Sequence, residues 1–93
     1  MVRIIVKFLS ILHQRAGTGR IEIRVSVPNL RTLFDEVVEK YGIRDVIFTD
    51  TGEIKPWVRV LVNGRSHELG GGLDSAIHDG DTIALVYPYA DNF

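Results

Sequence analysis

Side chains capable of chemistry are few in this chain of 93 residues, and their spacing assigns them little. There is no cysteine, which removes disulfide staples, thiolate zinc sites, iron–sulfur ligation and cysteine nucleophiles together. His13, His67 and His78 are the three histidines, and they fall in separate turns or edges. Without i, i+4 pairing or a neighbouring thiolate they offer no metal-ligand spacing, so no metal is expected. Asp79 and Asp81 flank Gly80 and invite an acid–base reading, but aspartates in a tight turn more often hydrogen-bond the local backbone. Ser10, Ser26, Ser66 and Ser75 stand in no nucleophile elbow. Gly70-Gly71-Gly72 is followed neither by Lys-Ser/Thr nor by a helix of useful length, so it reads as a loop and not as a phosphate cradle. No catalytic constellation emerges; the chain is not expected to be an enzyme itself, nor to need a cofactor.

The remaining resource is surface, and composition limits what that surface meets. A net charge of −1 gives no global field toward nucleic acid or an anionic membrane. Arg15, Arg20, Arg24, Arg31, Arg44, Arg59 and Arg65 are dispersed among acids and read as a solvated surface. The start, Met1 to Phe8, is broken by Arg3 and Lys7 and does not read as a signal peptide. No window approaches the roughly 20 apolar residues of a membrane span. A cytoplasmic, membrane-free protein is the expectation, as a monomer or in a hetero-oligomer.

The elements that must build the surface follow from periodicity. Val2 to Leu9 reads as a strand with Val2, Ile4, Val6 and Phe8 on one face and Arg3, Ile5, Lys7 and Leu9 on the other. Ile11 to Arg15 suggests a short helical turn, and Ala16 to Gly19 a turn. Arg20 to Val27 alternates cleanly and pairs back as a hairpin. Asn29 is placed to cap a helix whose stripe is Leu30, Leu33, Phe34, Val37, Val38 and Tyr41, with Gly42 positioned to end it. Residues 43–56 read as a loop with at most one short strand or turn. Val58 to Val62 is a strand, Asn63-Gly64 the preferred pair for a type I′ hairpin, and Arg65 to Glu68 a short return strand. Leu73 to Ile77 suggests a helical turn. Asp79-Gly80-Asp81 turns into a last strand, Thr82 to Tyr87, which Pro88 stops. One amphipathic helix needs one apolar sheet face to cover it. The fold class is therefore α+β, a β-grasp with a mixed sheet of four to five strands, occupying residues 1–88, with 89–93 as a tail.

The run Val60-Leu61-Val62-Asn63-Gly64-Arg65, then Leu73, then Asp79-Gly80-Asp81-Thr82-Ile83-Ala84-Leu85 and Tyr87-Pro88 resembles the MoaD-type small subunit of molybdopterin synthase and the related ThiS sulfur carriers. The opening strand with Phe8, a Leu-rich turn and Ala16-Gly17 is similar too, as is Leu33 in a helix after Pro28. The resemblance implies a ubiquitin-like carrier in molybdenum or tungsten cofactor biosynthesis or related sulfur transfer. Its partners would be an E1-like adenylyltransferase, a synthase large subunit or an oxidoreductase. Such carriers end in Gly-Gly, which lets an extended tail thread a narrow channel; five or six residues reach roughly 16–21 Å. Here Tyr89-Ala90-Asp91-Asn92-Phe93 follows Pro88, with no glycine.

Two surfaces are therefore candidates. The tail, Tyr89 to Phe93, is either a frayed end or a docking segment whose aromatics act as anchors. The outer sheet face carries Ile5, Leu61, Ala84 and Val86, with Trp57 nearby in sequence; the resemblance implies that partners bind there. A non-conjugating ubiquitin-like module or small structural subunit is the alternative role.

Overall fold

The computed structural model describes residues 2–26, 28–66 and 72–87. Strand β1 (Val2–Ser10) leads directly into helix α1 (Ile11–Ala16). Strand β2 (Arg20–Val25) returns antiparallel to β1 with Val2 opposite Val25 and Val6 opposite Ile21. Helix α2 (Leu30–Tyr41) crosses the sheet, followed by the one-turn helix α3 (Arg44–Ile47). Strands β3 (Arg59–Val62) and β4 (Arg65–Ser66) form a hairpin, a 3-10 turn occupies Gly72–Asp74, and β5 (Thr82–Tyr87) is last. The sheet order is β2-β1-β5-β3-β4, with β1 and β5 parallel and the other pairs antiparallel. This mixed sheet under one main helix is the expected β-grasp.

Alternation decides which face is covered. Ile4, Val6 and Phe8 of β1, Val60 of β3, and Ile83 and Leu85 of β5 are buried beneath the α2 stripe of Leu30, Leu33, Phe34, Val37 and Val38. Both ends of α2 are chemically fixed. Asn29 is extended (φ −133°) and its Oδ1 accepts a 2.8 Å bond from the Thr32 N–H. Gly42 has φ 65°, a left-handed conformation glycine adopts without Cβ strain, and its N–H satisfies the Val38 carbonyl. The hairpin behaves as its sequence demands: Asn63 and Gly64 have φ 52° and 86°, both positive as a type I′ turn requires.

Residues 43–56 depart from the loop expectation. Ile43, Val46, Ile47 and Phe48 are buried, α3 lies between Ile43 and Phe48, and Phe48 bridges Ile54. A four-residue helix has no period long enough to read from sequence and is held by packing, not propensity. The Phe48 ring meets Phe34 edge-on, centroids 6.3 Å apart, and the Arg44 guanidinium lies 5.6 Å from its centroid. Three smaller differences are shortened elements. β2 ends at Val25, β3 begins at Arg59, and the Leu73–Ile77 turn is the Gly72–Asp74 turn. Val27 and residues 67–71 lie outside the described residues.

Candidate functional site

The face of the sheet opposite α2 carries the odd-numbered residues of β1 and β3 and the even-numbered ones of β2 and β5. Registration sets their neighbours. Leu61 lies directly opposite Ala84, and on the other flank Ala84 pairs with Lys7. One row along, Val86 sits between Leu9 and Arg59. Leu61, Ala84, Val86 and Leu9 thus form an apolar cluster over β3, β5 and β1. Ile5 is on the same face, but its cross-strand neighbours are Glu22 and Thr82, which place it at the polar margin of the cluster. Trp57 lies in the turn before β3, 46% exposed, with the Lys55 ammonium 5.8 Å from its ring centroid.

The structure adds two residues that the sequence reading did not single out. Leu9 is 40% exposed and Ile11 is 44% exposed; with Trp57 they are the exposed large apolar side chains among the described residues. Leu9 had a legible signal, because it follows Ile5 and Lys7 at a period of two on the outward face. Ile11 had none, since only the observed junction of β1 with α1 shows where it points. Ser10 pairs with Tyr87, the last described residue of β5, so Leu9 and Ile11 lie on either side of the final described rung of the β1–β5 ladder. Beyond it, Tyr89, Ala90, Asp91, Asn92 and Phe93 lie outside the described residues.

The opposite end of the sheet is polar and heavily cross-linked. Asp81 Oδ1 accepts from Asn63 Nδ2 at 3.0 Å, and Oδ2 accepts from the His78 N–H at 2.8 Å. Asn63 Oδ1 accepts from the Thr82 N–H at 2.9 Å, and Asn63 N–H donates to the Thr82 carbonyl at 2.8 Å. Asp79 Oδ1 accepts from the Arg3 N–H at 2.9 Å, while Gly80 N–H donates to the Arg3 carbonyl. Both aspartates are thus engaged with backbone or amide donors, in the manner of turn residues. His78 Nδ1 lies 3.7 Å from Asp81 Oδ2, while the His13 ring lies beside Gly19, in a different turn. Among the described residues no three His, Asp or Glu side chains gather as metal ligands would. No described helix is long and apolar enough to cross a membrane.

On the helix side, an open groove between the end of α2 and α3 is lined by Glu39, Asp45 and Asp50. Arg44, also in its lining, reaches back to α2 at 2.9 Å from Glu39 and 3.5 Å from Asp35. The groove is a shallow charged surface, with little that would enclose a small molecule.

A model of the ThiS family matches residues 6–90. No curated protein sequence matches the chain. Three solved structures illustrate the likeness in fold. The small archaeal modifier protein 1 of Haloferax volcanii superposes with a TM-score of 0.84 at 24% identity, covering 96% of this chain and 100% of its own. Urm1 of Trypanosoma brucei gives 0.79 at 27% identity, covering 97% and 95%. A putative molybdopterin converting factor subunit 1 of Pyrococcus furiosus gives 0.76 at 23% identity, covering 96% and 100%.

Proposed function

We propose, from the premise that this chain belongs to the ThiS family of ubiquitin-like sulfur carriers, that it works by seating its outer sheet face on a larger protein. The observation that carries this role is the apolar cluster of Leu61, Ala84, Val86 and Leu9 on the face α2 leaves uncovered, which runs to the last described rungs of the β1–β5 ladder. Apolar side chains gathered on one exposed face are characteristic of interaction sites. The partner classes are an E1-like adenylyltransferase, a synthase large subunit or an oxidoreductase. The setting is molybdenum or tungsten cofactor biosynthesis or related sulfur transfer, a choice supported by the likeness to a putative molybdopterin converting factor subunit.

Pull-down against such an adenylyltransferase or large subunit tests the surface. Leu61→Asp, or a charge at Ala84, is expected to abolish the complex while the circular dichroism spectrum stays native. Binding that survives both substitutions refutes the face. Incubation with an E1-like enzyme, ATP and a sulfur donor tests transfer, read as the mass change of one oxygen-to-sulfur exchange at the terminal carboxylate. The same apolar cluster serves a second reading, a non-conjugating binding module that docks without transferring. A stable stoichiometric complex formed without ATP, with no mass change, is its signature.

A further inference from the structure

Sequence order scatters the cations of this chain, but the β1–β2 register collects them. Arg3 lies directly opposite Arg24, and Lys7 directly opposite Arg20, all four exposed on the outer face. Between the two pairs stands one acid, Glu22, opposite Ile5, with its Oε1 3.8 Å from Arg3 Nε. Like charges placed directly across an antiparallel pair destabilise it. Lys7, Arg20 and Arg24 have no ion pair among the described residues to offset this.

Edge protection alone does not account for the pattern. Charges on an edge strand do discourage strand-to-strand aggregation. That purpose is equally served by alternating signs, which would give favourable cross-strand pairs, and it gives no reason for cations on the interior strand β1. The strip also has a defined neighbour. Lys7 pairs on its other side with Ala84, which in turn faces Leu61, so one row runs from cation to apolar cluster without interruption.

We propose that the Arg3, Lys7, Arg20 and Arg24 strip engages carboxylates on a protein partner whose apolar residues sit on the adjoining Leu61–Ala84 cluster. This rests on the docking role proposed above and adds the partner's chemistry: a surface with an apolar knob beside a row of Asp or Glu. Charge complementarity selects a protein over nucleic acid because the cationic strip is bounded by apolar side chains, and the chain as a whole carries a net charge of −1.

The test titrates the isotope-labelled protein with a short peptide alternating leucine and glutamate, following backbone amide shifts. Matched probes replace glutamate by glutamine, or are single-stranded oligothymidylate. Shifts along β1, β2 and β5 with the glutamate peptide are expected, weakening with added salt. An Arg20→Glu/Arg24→Glu variant should bind about fivefold more weakly, the scale of two screened ion pairs. The same change should not destabilise the free protein, since it turns Lys7–Arg20 and Arg3–Arg24 into opposite-charge pairs. Arg20→Gln/Arg24→Gln gives the readout should charge reversal disturb the fold. Equal binding of the glutamine peptide overturns the cationic strip while leaving the docking face intact. Loss of both peptides' binding only in Leu61→Asp has the same meaning. No shift with either peptide, shifts with oligothymidylate alone, or concentration-dependent shifts without any probe each overturn the proposal.

Discussion

Asp81→Ala is the perturbation that best isolates what holds the β3–β4 hairpin to the last strand. The Asp81 side chain is only 15% exposed, and its two oxygens accept from the His78 N–H and the Asn63 amide. A hydrogen bond to a charged group contributes about 1.5–3 kcal/mol when dry. Both bonds lie at the surface, where water partly replaces them, so about 2 kcal/mol is expected for the pair. For a domain of this size that corresponds to a fall in Tm of roughly 8–16 °C. Asn63→Gly is the informative second variant. It keeps the positive φ of 52° accessible and the backbone bond to the Thr82 carbonyl, while deleting the side-chain bonds to Asp81 and to the Thr82 N–H. A double-mutant cycle by urea denaturation, monitored by far-ultraviolet circular dichroism, should return a coupling of about 1 kcal/mol for the shared Asn63–Asp81 bond. If Asp81→Ala melts within about 0.5 kcal/mol of wild type, or the two losses add without coupling, the cross-link carries no stability and the reasoning fails.

Leu85→Ala should cost about 2–5 kcal/mol in the same denaturation assay, because Leu85 is fully buried on the central strand β5 between Phe8 and Val60. Gly42→Ala should cost about 1 kcal/mol from the left-handed φ of 65° alone, since an added Cβ meets nothing within 4 Å. Asn29→Ala should cost about 1 kcal/mol by freeing the Thr32 N–H, with Asn29→Ser recovering most of it. Leu61→Asp should change stability by less than about 1 kcal/mol, its side chain being only partly buried, while removing partner binding.

The elements that were legible in the sequence are those whose period ran long enough to exclude alternatives. The α2 stripe from Leu30 to Tyr41 had both a capping Asn29 and a terminating Gly42, and the helix occupies those bounds. β1 and β5 were legible from alternation and from the turns beside them, and Asn63-Gly64 from the rarity of two consecutive positive φ values. α3 was not legible, because four residues complete only one turn and Val46 and Ile47 suit a strand as well as a helix. The outward placement of Ile5, Leu61, Ala84 and Val86 followed from parity. Their grouping did not, because it depends on register between strands up to about 80 residues apart in sequence. Register is also what separates Ile5 from the apolar cluster, adds Leu9 to it, and gathers Arg3, Lys7, Arg20 and Arg24, which the sequence presents as dispersed.

The parallel pairing of β1 with β5 has a mechanical consequence. Val2 begins β1 at one end of the central pair, and Tyr87 closes β5 at the other. A force drawing on the chain beyond Tyr87 against the start of β1 therefore acts along the strands. It loads the ladder from Ile5–Thr82 to Ser10–Tyr87 in shear, all rungs together, instead of unzipping them one by one. A load applied in this direction would meet the parallel β1–β5 ladder along its most resistant axis.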